Sequence, residues 1–278
     1  MKLIVKSEGE LLDYLYNNLD MPKKRIKQYL THGSIYVNNN KTTKYNYKLV
    51  PGMNIVIDTD KKESLPFDIL FEDDHIIVVN KPSGLLTIAT EKEREKTLYH
   101  IVREYLISKN RNAKVFIVHR LDKDTSGIVV LAKDMKTKNK LQENWNEYVT
   151  LREYTGVVYG QLKNKKDRIV QNLKENKANL VYVSREGKEA ITNYEVLKEN
   201  DKYSLLKITI ETGRKNQIRV AFSTLKHPIV GDKKYNPEEK STNRLYLHAN
   251  RLKMYYPEIR KDILFETNIP NEFKKIMN

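Results

Sequence analysis

The residues best suited to chemistry lie in one ten-residue segment, Val118–Gly127, which reads Val-His-Arg-Leu-Asp-Lys-Asp-Thr-Ser-Gly. Asp122 follows Arg120 by two residues and precedes a small polar turn that ends at Gly127. The apolar run Ile128–Ala132 comes next and predicts a buried strand. A carboxylate at the mouth of a buried strand has rigid support, so Asp122 is a candidate nucleophile or base. The alternative is a turn in which Asp122 caps its own backbone.

A second polar segment, Glu211–Val220, reads Glu-Thr-Gly-Arg-Lys-Asn-Gln-Ile-Arg-Val and follows the apolar run Leu205–Ile210. The pattern predicts a strand that ends before this segment and a short helix over Ile218–Leu225. An arginine held beside a carboxylate favours the ionised form of that carboxylate. Arg219 could do this for Asp122, although an arginine on a short helix more often lies in solvent.

Aromatic and basic candidates lie on other predicted elements. Tyr154 belongs to a predicted strand, Arg152–Gly160, and could stack on a planar substrate, although most of the eighteen tyrosines must simply pack. Lys81 ends the apolar run that begins at Ile76, and we expect it to support a loop rather than to catalyse. A helix is predicted over Lys136–Tyr148, and its Trp145 fits a core position.

Composition limits the classes of function. The chain has 278 residues, 39% of them hydrophobic, and a formal net charge of +15, which favours a polyanionic partner. Nucleic acid is the first candidate and an anionic membrane surface the second; lysines spread evenly without any site are the alternative. The absence of cysteine excludes disulfides, thiolate catalysis and cysteine-based metal sites. The six histidines lack ligand spacing, and no glycine-rich phosphate loop occurs, so we expect neither a metal nor a cofactor.

Targeting signals are not recognisable in the sequence. The first residues, Met-Lys-Leu-Ile-Val-Lys-Ser-Glu, do not have the apolar run of a signal peptide. No apolar stretch reaches membrane-spanning length. We therefore expect a cytoplasmic protein without a membrane partner.

Two domains of unequal size are predicted. A small α+β domain covers 1–60, a linker covers 61–66 within a polar stretch of both charge signs, and a large domain covers 67–278. In the small domain, leucines from Leu11 to Leu19 recur at helical spacing, and a second helix runs from Pro22 to Leu30. Strands are predicted over Ser34–Val37 and Met53–Ile57. In the large domain we expect the lysine-rich segment Lys163–Arg168 to be a solvated loop.

The second helix of the small domain carries a cluster of positive charge at Lys23, Lys24, Arg25 and Lys27. Like charges at this spacing repel unless an anion lies nearby. The cluster is a solvated face or a site that follows RNA phosphates, and the net charge of the chain favours the second reading.

Taken together, the segments around Asp122, Tyr154 and Arg219 resemble the motifs of the RluA-type pseudouridine synthases. The small domain is similar to an RNA-binding domain shared with a ribosomal small-subunit protein. Two departures stand out: Arg152-Glu153-Tyr154 where the family more often has Lys-x-Tyr, and Lys215-Asn216 where it usually has Thr-His.

The resemblance implies an α+β fold: a large, mixed and mainly antiparallel sheet with flanking helices and a central catalytic cleft. It implies an RNA pseudouridine synthase with Asp122 as the catalytic residue, working without a cofactor. Nothing in that mechanism calls for more than a monomer, so we expect a monomer. It implies ribosomal RNA, or transfer RNA as the alternative, as the partner. The substrate-binding residues that it implies are Tyr154, Arg219, Arg120, Leu121 and Ile218.

Two other classes of function stay open at this point. The chain could be a non-catalytic RNA-binding factor for ribosome assembly, although the presence of Asp122, Tyr154 and Arg219 argues against loss of activity. It could instead be a glycosidase with Asp122 and Asp124 as its pair of carboxylates. Alternation along an extended loop would keep those two side chains apart, and a polycation suits a carbohydrate poorly.

Overall fold

The computed structural model describes residues 1–31, 33–58, 65–91, 93–238 and 242–278. For Lys24 it describes the backbone but not the side chain. The chain divides into two compact units, Met1–Ser64 and Leu65–Asn278. The linker predicted at 61–66 lies outside the described residues as far as position 64, and so does His32, where the second helix was expected to end.

The small unit is an α+β module with its own core. Its helices are α1 (Leu11–Asn18) and α2 (Lys23–Thr31). Its strands are β1 (Lys2–Ile4), β2 (Gly9–Glu10), β3 (Ile35–Val37), β4 (Asn40–Thr42), β5 (Lys48–Leu49) and β6 (Asn54–Ile57). An antiparallel sheet in the order β1-β6-β3-β4 packs against both helices, and β2 pairs with β5. Asn38 and Asn39 both have positive φ, as the two-residue turn between β3 and β4 requires.

The large unit is built on one long sheet. Its strands are β7 (Ile69–Glu72), β8 (Ile76–Lys81), β9 (Phe116–Ile117), β10 (Ser126–Ala132), β11 (Val149–Tyr159), β12 (Lys166–Glu175), β13 (Val181–Val183), β14 (Lys188–Glu199), β15 (Tyr203–Ile210), β16 (Leu247–Tyr256) and β17 (Lys261–Glu266). Its helices are α3 (Leu98–Lys109), α4 (Met135–Glu143), α5 (Trp145–Tyr148), α6 (Gln217–Thr224) and α7 (Asn271–Lys275).

The order of strands along this sheet is β13-β12-β14-β15-β11-β16-β10-β8-β7, with β17 paired to β16 and β9 paired to β10. Among the described strands, β10 and β16 run parallel and the other pairs are antiparallel. The predicted class, α+β with a mainly antiparallel mixed sheet, is therefore confirmed. Apolar side chains from β8, β10 and β16 form cores on both faces of the sheet, so the centre is rigid.

Two local expectations were wrong. The helix predicted over Lys136–Tyr148 is interrupted at Asn144, whose side-chain amide donates to the carbonyl of Lys140 at 2.9 Å and ends α4. The segment Lys163–Arg168 is not only a loop, because β12 begins at Lys166 and pairs with β14 from there onwards. The first side chains of this strand are charged and exposed, so the sequence there lacks the alternation of polar and apolar residues that predicts a strand.

Gly127 allows β10 and β16 to approach closely at the point where they become parallel. It has a φ of 119° and lies directly opposite Ala249, whose backbone a Cβ at position 127 would overlap. Only glycine combines this φ with so close a neighbour. This residue therefore fixes the start of the strand that follows Asp122.

We expect Gly127→Ala to lower the free energy of unfolding by more than about 3 kcal/mol, since it adds a steric overlap to backbone strain. Gly84→Ala is the matched control: Gly84 also has positive φ, at 84°, but has open space around the Cβ position. The control should lose only about 1–2 kcal/mol. Urea unfolding followed by circular dichroism measures both losses, and equal losses would contradict the role given to Ala249.

Candidate active site

The loop that carries Asp122 is held by its backbone carbonyls. The ammonium group of Lys81, fully buried at the end of β8, donates to the carbonyls of Pro82, Leu85 and Lys123 at 3.0, 2.7 and 2.9 Å. The hydroxyl of Thr87 donates to the carbonyl of Leu121 at 2.8 Å. The backbone on either side of Asp122 is thus tied to the segment that follows β8, which agrees with the supporting role predicted for Lys81.

Burial has an electrostatic effect on Lys81. Desolvation lowers the pKa of Lys81 to about 7, although the charges of Asp124 and Asp122 act in the opposite direction. The two carboxylates therefore help to keep an ammonium group in the interior.

His119 and Trp145 anchor the other end of the loop. The Nε2 atom of His119 accepts a hydrogen bond from the backbone N–H of Val130 at 3.0 Å. The two rings pack with their centroids 4.6 Å apart. Burial, and secondarily the charge of Arg152, lowers the pKa of His119 to about 3, so its imidazole is neutral. Trp145 packs against the core as expected.

Arg219 lies beside Asp122, but its strongest partner is a different carboxylate. An Nη atom of Arg219 is 3.6 Å from Oδ2 of Asp122. The guanidinium also makes a two-bond contact with the fully buried Asp232, through Nε at 2.8 Å and Nη2 at 2.7 Å. Asp232 in turn accepts the backbone N–H groups of Lys234 and Tyr235, each at 3.0 Å. Arg219 is therefore fixed from behind while one of its nitrogens faces Asp122.

Arg219 keeps its positive charge although it is buried. Burial alone would lower the pKa of Arg219, but the hydrogen bonds and charge of Asp232, with the charge of Asp122, raise it above its ordinary value. With only 8% of its side chain exposed, Arg219 is not the solvated arginine that a short helix usually carries. It supplies a permanent positive charge next to the candidate catalytic carboxylate.

Tyr154 contributes a flat apolar face. It lies on β11 and packs between two of the core clusters. Desolvation of its hydroxyl group raises the pKa of Tyr154 to about 12, and the charge of Asp122 adds to this. The phenol is therefore neutral near pH 7, which suits stacking and hydrogen bonding better than action as a phenolate base.

These side chains meet in an open cleft of about 310 Å³, a size within the usual range for small-molecule sites. The residues predicted to contact a substrate all line it: Asp122, Tyr154, Arg219, Arg120, Leu121 and Ile218. Arg120, exposed at the rim, adds positive charge. A smaller cavity of about 20 Å³ beside His119 and Tyr154 is too small for a ligand.

Asp124 does not form a carboxylate pair with Asp122. Its side chain is exposed, and it is not among the residues that line the cleft. The pair that a glycosidase would need is therefore missing from this cleft as the described residues form it.

The basic cluster of the small unit lies on α2. Lys23 lies over the ring of Tyr16 at 5.0 Å, and Arg25 lies over the ring of Tyr29 at 5.8 Å. Lys27 is on the same helix and exposed, whereas the side chain of Lys24 lies outside the described part of the structure. The cluster is therefore a candidate surface for a polyanion.

Sequence reasoning missed several residues around Asp122. Asp232, Lys234 and Tyr235 follow the turn His227–Gly231, and no spacing rule links that turn to the loop of Asp122. Asn216 departs from the family pattern, and its hydrogen-bonding amide predicts a change in fine positioning rather than in the reaction, but its contact with Asp122 was not predicted. The sequence signal that could have drawn attention to Asp232 is the pair Gly231-Asp232, which is typical of a structured turn. In the structure Gly231 has the positive φ of such a turn.

The described residues offer neither a metal-binding cluster nor a membrane-spanning helix. Within the described ranges, no group of three or more histidine, aspartate or glutamate side chains is arranged to hold a metal ion. None of the described helices has the length and apolar character needed to cross a membrane.

Comparison with known proteins gives consistent matches. The family model described as RNA pseudouridylate synthase matches residues 75–224. An uncharacterized RNA pseudouridine synthase of Bacillus subtilis, YhcT, is 32% identical over 98% of this chain and 93% of its own length. The ribosomal large subunit pseudouridine synthase D of Vibrio cholerae is 30% identical over 95% of this chain and 89% of its own length.

A solved structure shares its fold with about three-quarters of the chain. Human RNA pseudouridylate synthase domain containing 4 aligns with a TM-score of 0.61 and 24% identity, covering 74% of this chain and 90% of that one. This likeness supports the fold of the sheet and its helices.

We expect Asp232→Asn to lower the free energy of unfolding by about 3–5 kcal/mol, because it leaves the buried guanidinium of Arg219 without its main counter-charge. The double variant Asp232→Asn with Arg219→Met should be more stable than Asp232→Asn alone, since the deeply buried guanidinium is then gone and only Asp122, which is partly exposed, has lost a counter-charge. Urea unfolding of the three variants (each single change and the pair) tests this. Additive losses would contradict the coupling between the two side chains.

Proposed function

The chain belongs to the RNA pseudouridylate synthase family and is an RNA pseudouridine synthase, and we propose that it modifies large-subunit ribosomal RNA with Asp122 as its catalytic residue. The observation that carries the assignment of Asp122 is its position: a carboxylate with 26% of its side chain exposed, facing a cleft and 3.6 Å from a buried guanidinium. We propose both the identity of the RNA and the roles of the individual residues.

The reaction moves the uracil ring on its ribose. The bond between C1′ of the ribose and N1 of uracil breaks, the base turns, and a new bond forms between C1′ and C5. The proton on C5 leaves and N1 gains one, so the reaction is redox-neutral. An ionised carboxylate can begin it as a nucleophile or as a base. In this proposal the oxygen atoms of Asp122 take that part, and Arg219 favours their charged form.

The remaining groups of the cleft would hold the nucleotide. The ring of Tyr154 offers a face on which the base can stack, while Leu121 and Ile218 give apolar contact. Extruding a uridine from a stacked RNA costs a few kcal/mol. The exposed guanidinium of Arg120 at the rim is placed to offset part of this cost by contacting the displaced backbone. All of these groups come from one chain, so we propose that a monomer suffices.

Large-subunit ribosomal RNA is favoured as substrate by the relatives. Several of them, of similar length and about 28–30% identity, are named ribosomal large subunit pseudouridine synthase D. We propose that α2 of the small unit anchors this RNA through Lys23, Lys24, Arg25 and Lys27, since a row of cations on one helix suits a phosphate backbone. Transfer RNA is the competing substrate, and activity on tRNA transcripts alone would decide for it.

We predict that Asp122→Asn reduces product formation by at least about 10²–10⁴-fold, because the amide cannot act as a nucleophile or base. RNA binding should change by no more than about threefold, since the rest of the surface is intact. The measurement is release of tritium from transcripts labelled at C5 of uridine, made on ribosomal and transfer RNA in parallel. Asp124→Asn, a neutralised neighbour outside the cleft, is the control and should keep its activity. Full activity of Asp122→Asn would overturn the assignment.

A second prediction concerns the small unit. Charge reversal of Lys23, Arg25 and Lys27 to glutamate should weaken RNA binding and flatten the dependence of log K on log salt by roughly 0.7–0.9 per lost phosphate contact. The control reverses three exposed lysines elsewhere in the same unit, Lys2, Lys6 and Lys48. Filter binding between about 50 and 200 mM salt gives both slopes. If the two triple variants lose affinity and slope equally, α2 is not the RNA anchor.

A further inference from the structure

Asn216 is placed unusually for a side chain that contacts a catalytic group. It precedes α6 directly and has φ 53° and ψ 19°, the left-handed conformation that asparagine tolerates better than most residues. It is 6% exposed. The strained backbone and the buried amide both need an explanation, because Asn216 makes no side-chain cap for the helix it precedes.

The amide of Asn216 points at Asp122. With its nitrogen toward the carboxylate, Asn216 donates to Oδ2 of Asp122 at 2.6 Å, and Oδ1 is 3.3 Å away. Its oxygen then accepts from Nζ of Lys234 at 3.2 Å and from the hydroxyl of Tyr235 at 2.9 Å. The reverse orientation would set an amide oxygen against a carboxylate and an NH₂ group against an ammonium. It would keep a bond to the hydroxyl of Tyr235 and gain a contact of 3.4 Å from Nη1 of Arg219, which is weaker than the bond to Asp122 that it would lose. The hydrogen-bonding partners therefore decide the orientation.

Arg219 and Asn216 act on Asp122 in different ways. The nitrogen of Arg219 is 3.6 Å from Oδ2, beyond hydrogen-bond distance, so it contributes charge more than direction. The amide nitrogen of Asn216 is within hydrogen-bond distance and so constrains the rotation of the carboxylate. An amide does not titrate, so this donor is present at every pH.

We propose that Asn216 is a positioning residue for the reaction: its amide, held by Lys234 and Tyr235, orients the Asp122 carboxylate toward the cleft and stabilises its ionised form. The inference rests on the proposed role of Asp122 and extends it to a side chain that departs from the histidine usual in the family. Asn216 itself lines the cleft, but its action on the substrate passes through Asp122.

Other groups also act electrostatically on Asp122, and a test must separate them from Asn216. They are Lys81 on β8, Tyr154 on β11, Arg219 on α6 and Lys234 in the turn after Asp232. Lys81, Tyr154 and Arg219 keep their identity in every variant at position 216, whereas Lys234 loses its acceptor in Asn216→Gly. Asn216→Asp keeps an oxygen for Lys234, so its difference from wild type reports the loss of the donor that faces Asp122.

Two substitutions at position 216 keep the backbone conformation and change the contact of the side chain with Asp122. Asn216→Gly removes the side chain, and Asn216→Asp keeps its shape while it replaces the donor by a second carboxylate; both residue types tolerate positive φ. Asn139→Asp on the exposed face of α4 is the control for an added negative charge. Native circular dichroism and urea unfolding confirm that each variant folds.

The kinetic test uses single-turnover and steady-state rates on the in vitro transcript that wild-type protein modifies. Asn216→Gly should lower kcat roughly 10- to 100-fold, with KM within about threefold, since a hydrogen bond to a charged group is lost. Asn216→Asp should move the acid limb of the pH–rate profile upward by about one unit, because the new carboxylate repels the charge of Asp122. Asn139→Asp should show the wild-type profile.

A titration without RNA gives an independent readout. In protein labelled with ¹³C at aspartate carboxyl carbons, the Asp122 signal is the one absent from Asp122→Asn. Its titration midpoint should rise in Asn216→Asp relative to wild type and stay unchanged in Asn139→Asp. An unchanged midpoint together with a wild-type acid limb would overturn the role of Asn216. Activity that persists in Asp122→Asn would instead overturn the proposed function, so the two failures are distinguishable.

Discussion

A carboxylate that is three-quarters buried is the constraint on which this site depends. Removing an ion from water is costly unless other charges and hydrogen bonds replace the solvent. Around Asp122 the replacement is a permanent cation, Arg219, itself held by the fully buried Asp232. The pair of Arg219 and Asp232 leaves little net charge behind the site, while one guanidinium nitrogen stays directed at the cleft.

The sheet supplies the precision. β10 is buried at every position and starts directly after the loop of Asp122, and β16 runs beside it with only glycine able to fit at the junction. Lys81 and Thr87 tie the loop carbonyls to the segment after β8. Such supports reduce the freedom of a reacting group before substrate arrives, which is the usual way a scaffold raises the rate of a positioned step. The helix α6 brings Arg219 to the cleft, and the turn after it sets Asp232 and Tyr235 against the guanidinium of Arg219.

Much of this could be predicted where the signal is local. Runs such as Ile128–Ala132 predict their strands because every position is apolar, and the segments around Asp122 and Arg219 carry the family resemblance. The contact of Arg219 with Asp232 and that of Asn216 with Asp122 could not be predicted, because they depend on how distant turns fold together. The break at Asn144 was missed because a side-chain bond to the preceding turn competes with helical spacing there. The start of β12 was missed because its first residues, Lys166–Arg168, are charged on both faces of the strand.

We propose that the Asp122 carboxylate converts uridine to pseudouridine in large-subunit ribosomal RNA. The most direct measurement is a pseudouridine map of total RNA from cells whose chromosomal copy encodes Asp122→Asn, beside wild type and Asp124→Asn. The account predicts that one or a few uridines of large-subunit ribosomal RNA lose their modification in Asp122→Asn alone. Identical maps in all three strains would contradict it.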